Sequence, residues 1–194
     1  MEKLLQFLQS IHPLSNGLLQ HLTDNLSFKE LNKKEYLLRE GQICRNIYFI
    51  ESGLLRCFYI RNEMEVSSWF MKEHDIIVSL ESFFNQKPSC ESIQAIECCS
   101  LHYISYDQLQ FAYKHFPEFN FTARMLTEKY YAMSEQRLYA IRMQRAADRY
   151  AYLMENHPEI VLRVPSKFIA SYLGITEVTL SALKGKLVNG SPNN

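Results

Sequence analysis

The chain has 194 residues, with 21 Lys/Arg against 21 Asp/Glu, 47% hydrophobic residues and only 6 Gly. That composition excludes an intrinsically disordered chain and supplies enough apolar mass for one large domain or two small ones. So few glycines weigh against a dinucleotide-binding or P-loop fold, whose phosphate loops depend on them.

The zero net charge conceals an asymmetry. From Arg137 onward there are eight Lys/Arg and four acids, so the C-terminal part is basic and the rest acidic, a pattern that points toward nucleic acid. Residues 1–20 include Glu2, Lys3, Gln6, Gln9 and His12, so no signal peptide is expected. No stretch reaches the ~20 apolar residues of a membrane span. The five cysteines are odd in number and lack a framework spacing, which predicts reduced thiols in a cytoplasmic protein.

Leu4, Leu5, Leu8 and Ile11, then Leu18, Leu19 and Leu22, recur at helical spacing and predict one or two short helices over residues 2–25, with Pro13-Leu14-Ser15 between them. Residues 26–105 change character. Short apolar or aromatic runs (Tyr36–Leu38, Ile47–Ile50, Leu54–Ile60, Val66–Met71, Ile76–Leu80, Ile93–Ile96 and Leu101–Ile104) are separated by turn signals such as Ser52-Gly53 and Arg61-Asn62-Glu63. This rhythm predicts an antiparallel barrel or jelly roll. A short helix over Asp107–His115 stops before Pro117, and a long helix follows from Glu118 to Ile141. Along it Phe119, Ala123, Leu126, Tyr130 and Met133 alternate steps of four and three, followed by Arg137. That heptad pattern predicts a dimer seam. Helix is expected to continue from Arg142 to Asn156 and to end at His157-Pro158, and the polar Asn189–Asn194 end is expected to fray.

Residues 166–186 carry the sharpest local signal, SKFIASYLGITEVTLSALKGK. Ile169, Leu173, Ile175, Leu180 and Leu183 supply an apolar seam, Ala170 lets two helices cross, and Gly174 sits where a tight turn needs a left-handed residue. Ser166 and Thr176 are N-cap candidates. These features predict a helix-turn-helix, with helices over Lys167–Leu173 and Glu177–Lys186. Base-reading helices usually present Arg, Lys, Asn or Gln. Here the outward positions are Glu177, Val178, Thr179 and Ser181, with Lys167, Lys184, Ser166 and Thr176 placed for phosphate or base contacts. The scaffold predicts DNA binding; its reading surface predicts weak or unusual sequence readout.

The chain resembles the Crp/Fnr superfamily of bacterial transcription regulators over almost its whole length, most of all the short members of Bacteroidetes-type bacteria. The residues that carry the resemblance are Leu38-Arg39-Glu40-Gly41, Ile47–Gly53, Pro88-Ser89 followed by Ser92–Glu97, Phe116-Pro117-Glu118-Phe119, and Val164-Pro165 followed by Ile169–Thr176. The resemblance implies an α+β fold. Its parts are an eight-stranded antiparallel jelly roll of the cyclic-nucleotide-binding type (residues 1–117), a dimerisation helix (118–141) and a helical helix-turn-helix domain (142–194). It also implies a homodimer whose half-sites lie about one helical turn apart on double-stranded DNA, with RNA polymerase as a candidate contact.

Nucleotide-binding members of that family hold the ribose with a Glu and the cyclic phosphate with an Arg about ten residues later, beside a Ser. Glu81 matches the Glu and Ser92 the Ser, but Glu91 stands where the cation belongs. An acid there repels a phosphate in a partly dry pocket. No cyclic nucleotide and no other cofactor is therefore expected, and the candidate effector pocket is Phe58, Trp69, Phe70, Glu81, Glu91 and Ser92. The six His show no metal-ligand spacing, and no nucleophile motif appears, so neither a metal site nor an enzyme is expected. The alternative to a DNA-binding regulator is a dimeric ligand-sensing or protein-interaction module that has lost specific DNA binding.

Overall fold

The computed structural model describes residues 1–189; residues 190–194, where the frayed end is expected, lie outside it. Two helices open the chain, α1 (Glu2–Ile11) and α2 (Asn16–Asn25). Ser15 starts the second by accepting a hydrogen bond from the Leu18 amide at 3.2 Å. Leu4, Leu8, Leu18 and Leu22, all at helical spacing, are the residues these helices bury.

Strands β1 (Ser27–Leu31), β2 (Tyr36–Leu38), β3 (Asn46–Ser52), β4 (Leu55–Arg61), β5 (Met64–Met71) and β6 (Ile76–Ile77) follow. A short helix α3 (Leu80–Asn85) then interrupts the run before β7 (Ser92–Ala95) and β8 (Cys99–Ser105). The strands form two antiparallel four-stranded sheets, ordered β1-β8-β3-β6 and β2-β7-β4-β5, which is the predicted jelly roll. The β4–β5 hairpin turns on Asn62 and Glu63, both at positive φ (50° and 63°), the geometry that fits a two-residue turn to twisted strands.

Two sequence expectations change in this region. Strand β1 begins in Ser27-Phe28-Lys29-Glu30, whose polar content hid it; four of its five residues are exposed. The apolar run Ile76–Leu80 is strand for only two residues before the chain turns into α3, which closes on Gln86 in the left-handed conformation.

Helix α4 (Tyr106–His115) starts with a capping box between Ser105 and Gln108. Helix α5 (Pro117–Met143) runs for 27 residues from a proline at its first turn. It does not continue as expected. Gln144 adopts an extended conformation, and α6 (Ala146–Asn156) starts afresh after Arg145. Neither Pro nor Gly marks that break. Helices α7 (Pro158–Arg163), α8 (Ser166–Leu173) and α9 (Glu177–Asn189) complete the chain.

There are two cores. The first lies between the sheets and takes in α1, α2, α4 and the start of α5. The second gathers Tyr150, Leu153, Ile160, Ile169, Leu173 and Leu180 from the C-terminal helices around Leu54 and Ile96 of the barrel. The C-terminal helices therefore share their apolar interior with the β-module.

Gly53 sits at the β3–β4 turn with φ +99°, and a Cβ there would meet the Cys98 carbonyl at 2.5 Å and the Cys99 Sγ at 2.6 Å. Left-handed strain and overlap with backbone act together. Gly53→Ala is expected to destabilise the fold by about 2–4 kcal/mol, read as a fall in Tm of roughly 5–10 °C by circular dichroism.

Candidate nucleic-acid interface and effector cavity

Helices α8 and α9 meet through a turn with the predicted glycine at its centre. Gly174 has φ +66° and ψ 37°; its amide reaches the Ser171 carbonyl, and the Ile175 amide reaches the Ala170 carbonyl at 3.0 Å. This is the paired bonding that ends a helix on a left-handed residue. Thr176 accepts from the Thr179 amide at 3.1 Å and caps α9 as expected. Ser166 does not cap α8; Pro165 holds that position, and the Ser166 hydroxyl accepts instead from the Lys184 ammonium at 2.9 Å. Ile169, Ala170 and Leu173 of α8 and Leu180 of α9 are buried between the helices and the barrel.

The predicted DNA-facing side chains lie on the outer surface. Ser166, Lys167, Thr176, Glu177, Val178, Thr179 and Ser181 are exposed, and Lys184 is half-buried. Val178 is 80% exposed, although it is apolar.

The opposite side of α8 is bound to the chain's own barrel. The Ser171 hydroxyl accepts from the Ser67 amide of β5 at 2.7 Å and donates to the Glu65 carbonyl at 2.9 Å. Arg56 of β4 is 1% exposed and lies between the rings of Phe58 (4.1 Å) and Phe168 (3.5 Å). Its charge is met by Glu65 at 2.6 Å and by the Gln94 side-chain carbonyl. The last carbonyls of α8 accept from two arginines. Arg137 of α5 bonds the Tyr172 carbonyl and stacks on the Tyr172 ring, and Arg149 of α6 bonds the Leu173 carbonyl at 2.7 and 3.0 Å.

Arg163 makes a fork of bonds to Glu73 at 2.7 and 2.9 Å and also pairs with Glu97, tying α7 to two barrel loops. None of these structural arginines was singled out by sequence except Arg137, and that one for another role. The basic excess of the C-terminal part is in good measure consumed inside the chain.

The heptad stripe of α5 also faces inward. Phe119 lies in the first core, Leu126 and Tyr130 pack against it, and Ala123 and Met133 are half-buried on the same side. The Tyr130 hydroxyl accepts from the Ile76 amide at 2.8 Å. Within the single chain, the stripe predicted as a seam lies half-buried against the barrel. The other sides of α5 leave Phe121, Met125, Tyr131, Leu138 and Tyr139 exposed.

A cavity of about 510 Å³ lies between the barrel and α5. Of the predicted pocket residues it brings together Trp69, Glu81 and Glu91, joined by Tyr59, Ser79, Cys90 and, from the helix, Leu126, Thr127, Tyr131 and Ser134. Phe58 and Phe70 are elsewhere, because strand side chains alternate. Their neighbours Cys57, Tyr59, Trp69 and Met71 face the cavity, while Phe58 stacks on Arg56 and Phe70 lies against Tyr172 at 5.1 Å. Ser92 is buried in a structural bond, accepting from the Glu40 amide at 3.0 Å.

Among the described residues no Lys or Arg lines this cavity; His102 does. Burial raises the Glu91 carboxyl above its usual range, against the opposing pull of hydrogen bonds with Ser79 and Tyr59. Among the described residues, no group of three or more His, Cys, Asp or Glu side chains converges to hold a metal, and no helix is long and apolar enough to cross a membrane.

Residues 28–115 match the family model of the cyclic nucleotide-binding domain. The fold of the whole chain is shared with several solved structures. FixK2 from Bradyrhizobium japonicum is similar at 18% identity and TM-score 0.72, over 84% of this chain and 85% of that one. The c-di-GMP-responsive global regulator CLP of Xanthomonas campestris is similar at 15% identity and TM-score 0.72, over 90% and 92%. A protein of Eubacterium rectale described as a transcriptional regulator of the Crp/Fnr family is similar at 18% identity and TM-score 0.71, over 91% and 85%. Identities this low establish the shared fold. No curated protein matches the chain significantly.

Arg163 holds the Glu73 carboxyl down at about 2, against an ordinary 4.5. A carboxylate with a depressed folded-state pKa contributes stability that is complete above 4.5 and lost as pH falls toward 2. Arg163→Met should therefore cost stability at pH 6, and its gap to the unmodified chain should narrow as pH falls from 4.5 to about 2. Urea unfolding at pH 6, 4 and 2.5 measures that gap.

Proposed function

We propose that this protein is a Crp/Fnr-type, DNA-binding transcription regulator whose effector is not cyclic AMP. The observation that carries this reading is the capped α8–α9 pair, fixed at its turn by Gly174 and presenting the outer face of α9, behind a barrel that matches the cyclic nucleotide-binding domain. The fold it shares with FixK2 and CLP supports the same assignment. By this reading α9 enters the major groove with Val178 and Ser181 at base edges, and Lys167 meets phosphate.

Cyclic AMP fits poorly. Its phosphate needs a cation, whereas among the described residues the cavity lining offers Glu81 and Glu91 and no Lys or Arg. The regulator acts as a homodimer in this proposal. The stripe Phe119–Arg137 packs in part on this chain's own barrel, so in this proposal the partner copy also meets the outward side of α5, at Met125, Leu138 and Tyr139. RNA polymerase is the further partner such a regulator would contact, and the cytoplasm is where it would act.

One observation favours a second reading, a sensing or interaction module without specific DNA binding: the exposed first turns of α9 carry Glu177, Val178, Thr179 and Ser181, which are not the usual base-reading residues. Selection of bound sequences from random duplex DNA separates the two. Enrichment of a two-fold symmetric site with half-sites about one helical turn apart supports the regulator; a pool that stays random supports the second reading. On the enriched site, Lys167→Ala should lower affinity evenly across sequences and reduce the slope of log K against log salt by about 0.9. Leu138→Asp should convert the dimer to monomer by sedimentation velocity, with loss of the symmetric site and little change in Tm.

A further inference from the structure

We propose that the cavity between the barrel and α5 binds a small apolar molecule carrying one ammonium group, which Glu91 receives. The inference deepens the regulator reading, on which the ligand's standing as an effector rests; occupancy itself is measured without DNA, so the two ideas fail separately.

The volume, about 510 Å³, lies in the range of small-molecule sites and is large enough for a ten- to fifteen-carbon body. Most of the wall is aliphatic or aromatic, contributed by the barrel strands on one side and by Leu126 and Tyr131 of α5 on the other. Set in that wall is Glu91, only 9% exposed. Ser79 and Tyr59 offer it hydroxyls, but among the described residues no Lys, Arg or His pairs with it. A buried carboxylate without a countercharge is costly unless something neutralises it. The buried Arg56, by contrast, has Glu65 at 2.6 Å. Glu91 stands apart, and it faces space that a ligand can enter.

Glu81, exposed and also lining the cavity, adds a second negative charge. The rings of Tyr59, Trp69 and Tyr131 present faces that attract a cation. A carboxylate or phosphate ligand would meet two acids, while the His102 ring in the lining is already bonded to Glu51 at 2.6 Å. An ammonium on an apolar body satisfies every part of the wall at once.

Trp69 is the one tryptophan of the chain and lies in the cavity wall, so its emission reports occupancy directly. The full-length protein is titrated with decylamine, decan-1-ol, decanoate and cyclic AMP, each below its micellar range where one exists. Decylamine is expected to bind at least tenfold more tightly than decan-1-ol, with decanoate weaker still and cyclic AMP silent. Glu91→Gln should bring the amine and the alcohol within threefold of each other while leaving the alcohol's affinity unchanged, which also shows the cavity intact. Ala123→Phe, at a lining position on α5, should abolish the response to both.

Tightest binding by decanoate or cyclic AMP, an amine preference that survives Glu91→Gln, or no response to any probe overturns the proposal. If Glu91→Gln does not fold, the unmodified protein decides: an amine-over-alcohol ratio below threefold overturns the proposal, and a ratio above tenfold that Ala123→Phe removes sustains it.

Discussion

The carbonyl end of α8 is the joint on which the molecule depends. A helix finishes with carbonyls that have no partner in its own ladder, and here those of Tyr172 and Leu173 accept from the guanidinium groups of Arg137 and Arg149. Positive charge is also what the end of a helix dipole favours. Because Arg137 belongs to α5 and Arg149 to α6, this one cluster fastens the long helix, the domain that follows it and the first helix of the helix-turn-helix to each other. The Ser171 bonds to β5 and the Arg163–Glu73 fork complete the attachment to the barrel. Each is a geometric constraint as much as a source of stability, since a planar guanidinium bonds two acceptors only in one orientation.

That joint explains what could be read in the sequence and what could not. The jelly roll was legible because short apolar runs alternate with turn residues, and the helix-turn-helix because Ala170, Gly174 and Thr176 each answer a local steric or hydrogen-bonding demand. Strand β1 was not legible: its ladder with β8 leaves Phe28, Lys29 and Glu30 exposed and sends only Leu31 into the core. The heptad of α5 was read correctly as an apolar stripe, but periodicity cannot say whose surface covers it. Arg137 was the clue, being a poor residue for a helix–helix seam and a good one for a carbonyl cluster. The break at Gln144 carries no Pro or Gly to mark it; there the Gln144 carbonyl accepts from the Arg149 side chain at 2.5 Å, and the same guanidinium reaches the Leu173 carbonyl.

The candidate sites were legible to different degrees. Residues of the helix-turn-helix are close in sequence, so local rules place them. The cavity is built from five strands, the α3 region and helices α1, α2, α4 and α5, and only alternation along β4 and β5 decides that Trp69 faces it while Phe58 and Phe70 turn away. Charge asymmetry was the least reliable guide. Counting Lys and Arg cannot separate those exposed to solvent, such as Lys167, from those spent on carbonyls and carboxylates, such as Arg149 and Arg163.

The unbroken length of α5 sets the gearing of the molecule. At 1.5 Å per residue its 27 residues span about 40 Å. The Tyr130–Ile76 bond pins the helix near its middle, beside the cavity. About that fulcrum a tilt of roughly 5° carries Met143 sideways by about 2 Å, given the same rise per residue. A displacement of that size at the far tip is comparable to the spacing between hydrogen-bonding and non-bonding positions.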